Sequence, residues 1–600
     1  MGLVMEARSH FPSVPLRLVS VGMAALLLAS TVALGDQRSS TRVTGPGGVD
    51  ADPSVMEVAE LDEPSDVEIG ETDPDEVLDF SVVLRQPHPE LLQRFLAGLH
   101  DPSSPDYRRY LTPDEFGRRF GPPDAEIEKL TAWLASRGFE IAAPPAQRTS
   151  LAVRGTARAV NESFGVSMRD RIDDLGRPYH APDREPQVPS TVREMVNVVA
   201  SLNTRGQEPA SVPALQAVPG GFLRPADVAR AFDIEELHAE GLLGQGQAVG
   251  IVSFDTYHDS DIVAFDRAMR TAERAGAEPP PVRRVRLPGA VTVPGDGSGE
   301  VNLDIDVVKT IAPAAEIINY EGPNGPFGPI IREIVSRQEV DIVSISWGLC
   351  ERKMDATERI SDDAEFAAAA AVGISIFVAS GDHGAHDCRF WPLPRTDQQY
   401  RDLGLSVTAP GSKDVILVGG TYLSTNEDGS YLEETGWEDP LTGWATGGGV
   451  SDVYQRPIWQ VGPGVDNEFS TGGRQMPDVA GPADSDSGWL VVYTPPGETE
   501  ASGSVSGGTS ASAPFWAASM LLARQLAEQE GVAAPGFGTL GTLGPLLYEL
   551  ANDAQPGTLF NDVVRGGNLY RNATTGWDYA TGLGSPRVGP LARAIVDSLR

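Results

Sequence analysis

QAVGIVSF, residues 247–254, is apolar through its centre, so a strand formed here has both faces buried. EIINYE (316–321), DIVSISWG (341–348) and GISIFVASGD (373–382) repeat the pattern, with helical stretches such as VNLDIDVVKTIA and DAEFAAAAAV between them. Apolar strands alternating with helices predict an α/β fold, a parallel sheet covered by helices on both faces. Ligands of such sheets bind beyond the carboxyl ends of the strands, where VSISWG and VASGDHG finish.

The rest of the chain divides around this pattern. Arg8 and Arg17 precede an apolar run, Leu18 to Gly35, that is short for a membrane span, and ALG before Asp36 suits signal peptidase. Residues 1–35 therefore read as a secretory signal rather than an anchor, and the protein as secreted. Residues 36–77 read as an acidic linker. Residues 78–202 read as a compact α+β domain, in which Asp124 caps an amphipathic helix ended by Gly138. Residues 203–221 lack periodicity and read as a linker open to proteolysis, and 222–600 carry the sheet. A net charge of −37, from 84 acidic and 47 basic residues, repels nucleic acid and anionic membrane and removes both as partners. The acidity fits either solubility or an acidic working environment, where many carboxylates are protonated.

GGTSASAP (507–514) turns from a Gly/Ser loop into a helix, placing Ser510 where the helix dipole favours developing negative charge, with Pro514 in the first turn. Thr509, Ser510 or Ser512 could equally be a helix cap. None of the eight histidines stands in a pattern expected of a base for Ser510. HGAHDC could hold a metal through His383, His386 and Cys388, without a further ligand set. In GSGEVNLDIDVVKTIAP, Glu300 and Asp304 are four apart, on one face of a helix, where one carboxyl can serve as a base in acid.

Glu300 and Asp304 in EVNLD, Trp347 in SISWG, Asp382 in SGDHG and Ser510 in SGGTSAS, taken in this order, resemble the sedolisin family of serine-carboxyl peptidases. YRRYLTPDEFGRRFGP, WLASRGFEI and VNESFGV are similar to the family's activation prodomain, and TGGGVS, RQMPDVAGPAD and GWDYATGLGSP to its catalytic domain. The resemblance implies a subtilisin-like catalytic domain (222–600) behind an α+β prodomain (78–202), with 203–221 as the processing linker. It implies that Ser510 attacks the scissile carbonyl, Glu300 takes its proton, Asp304 orients Glu300, Trp347 supports them, and protonated Asp382 binds the oxyanion. His383 stands where the family often has serine. The resemblance also implies one calcium ion, held by the side chains of Asp562 and Asp578 and the carbonyls of Val563, Thr574 and Gly576. The implied partners are protein or peptide substrates and the chain's own prodomain, the enzyme itself being a monomer. Endopeptidase and tripeptidyl-peptidase action both stay open, as does an inactive binding protein on the same fold.

Cys350 and Cys388 each follow the end of a strand, and neighbouring parallel strands would bring them together as a disulfide. Maturation is expected to be triggered by acid, through carboxylate pairs at the prodomain contact that lose charge as pH falls.

Overall fold

The computed structural model describes residues 66–209, 212–213, 222–388, 404–532 and 540–600. The expected signal lies outside these residues, as do most of the acidic linker and residues 210–211 and 214–221 of the processing linker. The parallel sheet is present. Its strands run in the order Arg283–Arg286, Glu316–Glu321, Ala248–Ser253, Ile342–Ile345, Ser375–Ala379, Ile416–Thr425 and Tyr431–Gly436. Val479–Pro482 also pairs with Ile416–Thr425, and every pairing is parallel except that of Tyr431–Gly436. Val249, Ile251, Val343, Ile345, Ile376 and Phe377 are fully buried, as two-sided coverage requires. The Thr509–Gln529 helix packs on Ile342–Ile345, Ser375–Ala379 and Ile416–Thr425, and on the Ser298–Ile311 helix. These two helices carry Ser510 and the Glu300–Asp304 pair.

The α+β domain is built on a four-stranded sheet, Glu140–Ile141, Ser150–Thr156, Val77–Leu84 and Val196–Ala200 in that order. Its core joins Phe80, Leu151 and Val153 to Leu130 and Leu134 of the Asp124–Ser136 helix. Three expectations need correction here. The acidic linker ends earlier than residue 77, because Val67–Glu71 pairs with Met168–Ile172. Pro123, not Asp124, is the N-cap residue, and Asp124 opens the first turn, where its charge still complements the dipole. The domain also does not keep all its apolar surface to itself. Leu92, Phe95, Leu96 and Leu99 of one helical segment, with Phe116 and Phe120 of the next, belong to the core of the large sheet.

Contacts between the two domains decide how pH acts on them. Glu358 accepts from the Ser201 N–H at 2.7 Å, and Glu365 accepts from Thr149 Oγ1 and Ser150 Oγ at 2.8 and 2.6 Å. Burial raises the pKa of both carboxyls. A raised value in the docked state means that these contacts are complete in acid and weaken as pH rises, opposite to the acid trigger expected of them. His100 acts in the expected direction. Its Nε2 lies 2.8 Å from Thr542 Oγ1, beside Tyr110, whose hydroxyl accepts from the Thr542 N–H. Burial, then the Arg108 guanidinium, lower its pKa from 6.5 to about 4. The contact is therefore complete above pH 6.5 and is lost as pH falls through 4.

Cys350 and Cys388 are joined, with Cα atoms 5.1 Å apart. The bridge spans 38 residues and ties the loop after Asp382 to the strand after Ser346. Cys388 is thereby unavailable to the HGAHDC metal set.

Two measurements follow. Replacing His100 by Gln keeps a partner for Thr542 without a titrating ring, so prodomain release should need a lower pH, by up to about 3 kcal/mol of coupling. An unchanged release midpoint would remove His100 from the trigger. Replacing both cysteines by Ala should cost about 3–4 kcal/mol of stability, from the loop it closes, read by denaturant unfolding.

Candidate active site

Glu300 and Asp304 lie one turn apart in the Ser298–Ile311 helix, and both are buried. The loop that starts this helix is fixed by Asp255, whose carboxylate accepts from the N–H groups of Gly295 at 3.0 Å and Gly297 at 2.9 Å. Trp347 closes the same corner. A Cβ on Gly297 would come within 2.6 Å of the indole, so only glycine lets the ring lie against the start of the helix. The indole meets Phe254 edge-on at 5.6 Å, and its N–H has no protein partner. Burial, then the charge of Glu300, push the Asp304 carboxyl well above the usual carboxylate range.

Ser510 is the second residue of the Thr509–Gln529 helix, which Gly508 precedes at φ +99° without a side-chain cap. The capping readings of Thr509, Ser510 and Ser512 therefore fail. Pro514 also lies further in than the first turn. Its ring nitrogen cannot donate to the carbonyl four residues back, that of Ser510. Ser346 uses this carbonyl: its Oγ is 3.0 Å from it and 2.5 Å from Asp304 Oδ1. One hydroxyl hydrogen cannot serve two acceptors. The raised pKa of Asp304 resolves this, since a neutral Asp304 donates to Ser346 Oγ while Ser346 donates to Ser510. The Ser510 hydroxyl donates to the Ser346 carbonyl at 3.2 Å. Ser346 was not singled out from the sequence, although it stands beside Trp347 in SISWG.

Thr509 was also missed as a site residue. Its N–H and its hydroxyl each lie 2.8 Å from Asp382 Oδ1, and its hydroxyl accepts from the Gly381 N–H at 3.1 Å. Asp382 Oδ2 is buried and has no protein partner. Burial is the main cause that raises the Asp382 pKa, with the charges of Glu300 and Asp387 adding to it. The structure thus brings Ser510, Asp304, Asp382 and Trp347 around one corner at the carboxyl ends of the strands, with Glu300 on the turn before Asp304.

Among the described residues, most histidines lie against other groups. His238 bonds the Ile311 carbonyl, His100 faces Thr542, and His180 lies near Glu76. His383 stacks on Trp444, with its Nδ1 3.7 Å from Asp387 Oδ1. His386 Nδ1 is 3.3 Å from the Gly404 carbonyl, and His258 is exposed.

Two described segments of the processing linker form short strands that its composition did not suggest. Glu208–Pro209 pairs antiparallel with Gly348 and Trp347, directly after Ser346. Val212–Pro213 pairs antiparallel with Gly507 and Ser506, directly before Gly508 and Thr509. An extended chain thus adds a strand to an exposed edge on either side of Ser510.

Asp562 and Asp578 both face the 574–578 loop. Asp562 accepts from the Gly576 N–H at 3.1 Å, and Asp578 Oδ2 from the Thr574 N–H at 2.8 Å. Burial raises both, Asp578 to about 6, and among the described residues no Lys, Arg or His is paired with either. Carboxylate oxygens that no described cation neutralises are the type of ligand a calcium ion would take.

Residues 65–205 match the Pro-kumamolisin activation domain and residues 290–538 the subtilase family. Kumamolisin of Bacillus sp. (strain MN-32) is 31% identical over 572 residues, which take in 89% of this chain and 94% of kumamolisin. Human tripeptidyl-peptidase 1 is 26% identical, with 89% of this chain and 94% of that protein aligned. The solved structure of Pseudomonas sedolisin, a serine-carboxyl proteinase complexed with two molecules of pseudo-iodotyrostatin, has a TM-score of 0.50 at 25% identity, covering 64% of this chain and 100% of that one. The chain belongs to the sedolisin family: it is a serine-carboxyl peptidase with a subtilisin-like domain behind an activation prodomain.

Proposed function

We propose that the protein is a secreted peptidase that works in acid through a Ser510–Glu300–Asp304 triad and is made as a proenzyme that cuts itself. The observation that carries this reading is the buried carboxylate set around Ser510, with His100, His180, His238, His383 and His386 each held against other groups. Ser510 Oγ attacks the scissile carbonyl carbon while its proton passes to Glu300. Asp382, neutral in acid, donates from its unpartnered oxygen to the oxyanion, which an ionised Asp could not do. Collapse of the intermediate expels the amine, which takes the proton from Glu300 and leaves an ester on Ser510. Water then attacks the ester, Glu300 accepts its proton and passes it to Ser510 Oγ, and the acid product departs from the restored serine. Asp304, tied to Ser346, holds Glu300 and the start of the Ser510 helix in one geometry. Trp347 keeps water from the helix start.

Calcium belongs to the same proposal. Asp562 and Asp578, with the carbonyls of Val563, Thr574 and Gly576, would hold it. A bound ion would neutralise the two carboxylates and stabilise the C-terminal loop. Secretion through residues 1–35 completes the reading.

Glu300 must be ionised and Asp382 protonated, so peptide cleavage measured from about pH 2 to 8 should follow a bell that collapses towards neutrality. Glu300→Gln should lower turnover by orders of magnitude with folding intact, whereas replacing His258, His383 or His386 should leave most activity. A dead histidine variant beside an active Glu300→Gln would overturn the triad. Excess chelator should lower the melting temperature of the mature domain, losing about 3 kcal/mol if calcium had been present at a hundred times its Kd. Asp578→Asn should reproduce that loss. A melting temperature indifferent to chelator would exclude calcium.

A further inference from the structure

The described linker residues on either side of the Ser510 turn show which main-chain positions the cleft grips. On the N-terminal side, the pairing with Trp347 and Gly348 accounts for Pro209 and Glu208. One residue earlier the grip comes from a side chain. Asn324, in the loop between the Glu316–Glu321 strand and the Gly328–Arg337 helix, accepts from the Gln207 N–H through Oδ1 at 2.7 Å. Its Nδ2 donates to the Gln207 carbonyl at 3.4 Å, a carbonyl that Arg177 of the prodomain also approaches at 3.4 Å. One amide thus reads both polar groups of a single residue, as a neighbouring strand would. The chain does not end there. Gly206 continues past Asn324, and a Cβ on Gly206 would stand 2.8 Å from Asn324 Nδ2.

We propose that Asn324 is a substrate-positioning residue that clamps the main chain of extended peptides N-terminal to the cleaved bond, so that the enzyme acts as an endopeptidase. The pairing passes from the Trp347 strand to the Ser506–Gly507 strand between Pro209 and Val212. A substrate in the same register therefore meets Asn324 at its third to fifth residue before the cut. Because the clamp binds main chain, it adds affinity for length without selecting a side chain. The Gly206 contact favours a small residue just beyond it. This inference rests on the peptidase reading above.

The test uses the mature enzyme and N-terminally acetylated peptides that share one cleavage sequence but carry two or six residues before the cut. Wild-type kcat/KM should be higher on the longer peptide, mainly through KM. Asn324→Ala should lower that long-to-short ratio by about five- to thirtyfold, the worth of two neutral hydrogen bonds. Asn324→Asp, which keeps the acceptor and loses the donor, should fall between. An unchanged ratio would overturn the clamp, and failure to cleave any acetylated peptide would overturn endopeptidase action. Hydrogen exchange of the uncut Ser510→Ala precursor reads the same contact without catalysis. The Gln207 amide should be protected, and should exchange faster once Asn324 is also Ala. Equal protection in both precursors would sink the proposal even if the peptidase reading stands.

Discussion

Pro514 has no N–H to give to the Ser510 carbonyl, and the hydroxyl of Ser346 fills the gap. That one hydrogen bond fixes the rest of the site. It ties the first turn of the Thr509–Gln529 helix to the end of the Ile342–Ile345 strand. The same hydroxyl reaches Asp304, so the helix bearing Glu300 is held to the strand as well. Three elements far apart in sequence meet at one oxygen atom. The turn that gives up a helical bond is the turn that presents Ser510, an instance of local backbone irregularity placed at a functional position.

Burial does the remaining work. Asp304 and Asp382 are buried, each raised by that burial and by the charge of Glu300, and neighbouring carboxyls in such a place cannot all ionise readily. Their raised pKa values keep protons available for donation, which an acid-working hydrolase needs and a histidine-based one does not. The same physics governs the prodomain contact with the opposite sign at different residues. Buried Glu358 and Glu365 favour docking in acid, and buried His100 opposes it. Release by acid then depends on the imidazole outweighing the carboxyls.

The sheet was legible because its strands are apolar on both faces, a pattern that only two-sided coverage explains. Glu300 and Asp304 were legible from helical spacing, and Ser510 from the Gly-rich turn before an apolar helix. Ser346 and Thr509 were not, since a hydroxyl's role depends on which atoms tertiary packing brings to it. Thr509 and Ser510 are equal candidates for a cap in sequence, and only the position of Gly508 decides against both. Pro514 lies inside the helix rather than in its first turn, a difference that sequence alone leaves open because it does not fix a helix start to within a few residues. The linker's pairing was hidden for another reason. Its prolines and glycines argue against a regular strand, yet two short segments suffice to pair with edges that already exist.

The central claim is that Ser510 is activated by a carboxylate and its oxyanion bound by a protonated Asp382. The rate of covalent modification of Ser510 by a peptidyl phosphonate, followed across pH in the mature enzyme, tests both halves at once. The account predicts a rate that rises as Glu300 ionises, peaks in acid and falls again as Asp382 loses its proton. A rate that climbs steadily through neutrality to a plateau, as an imidazole base would give, would contradict it.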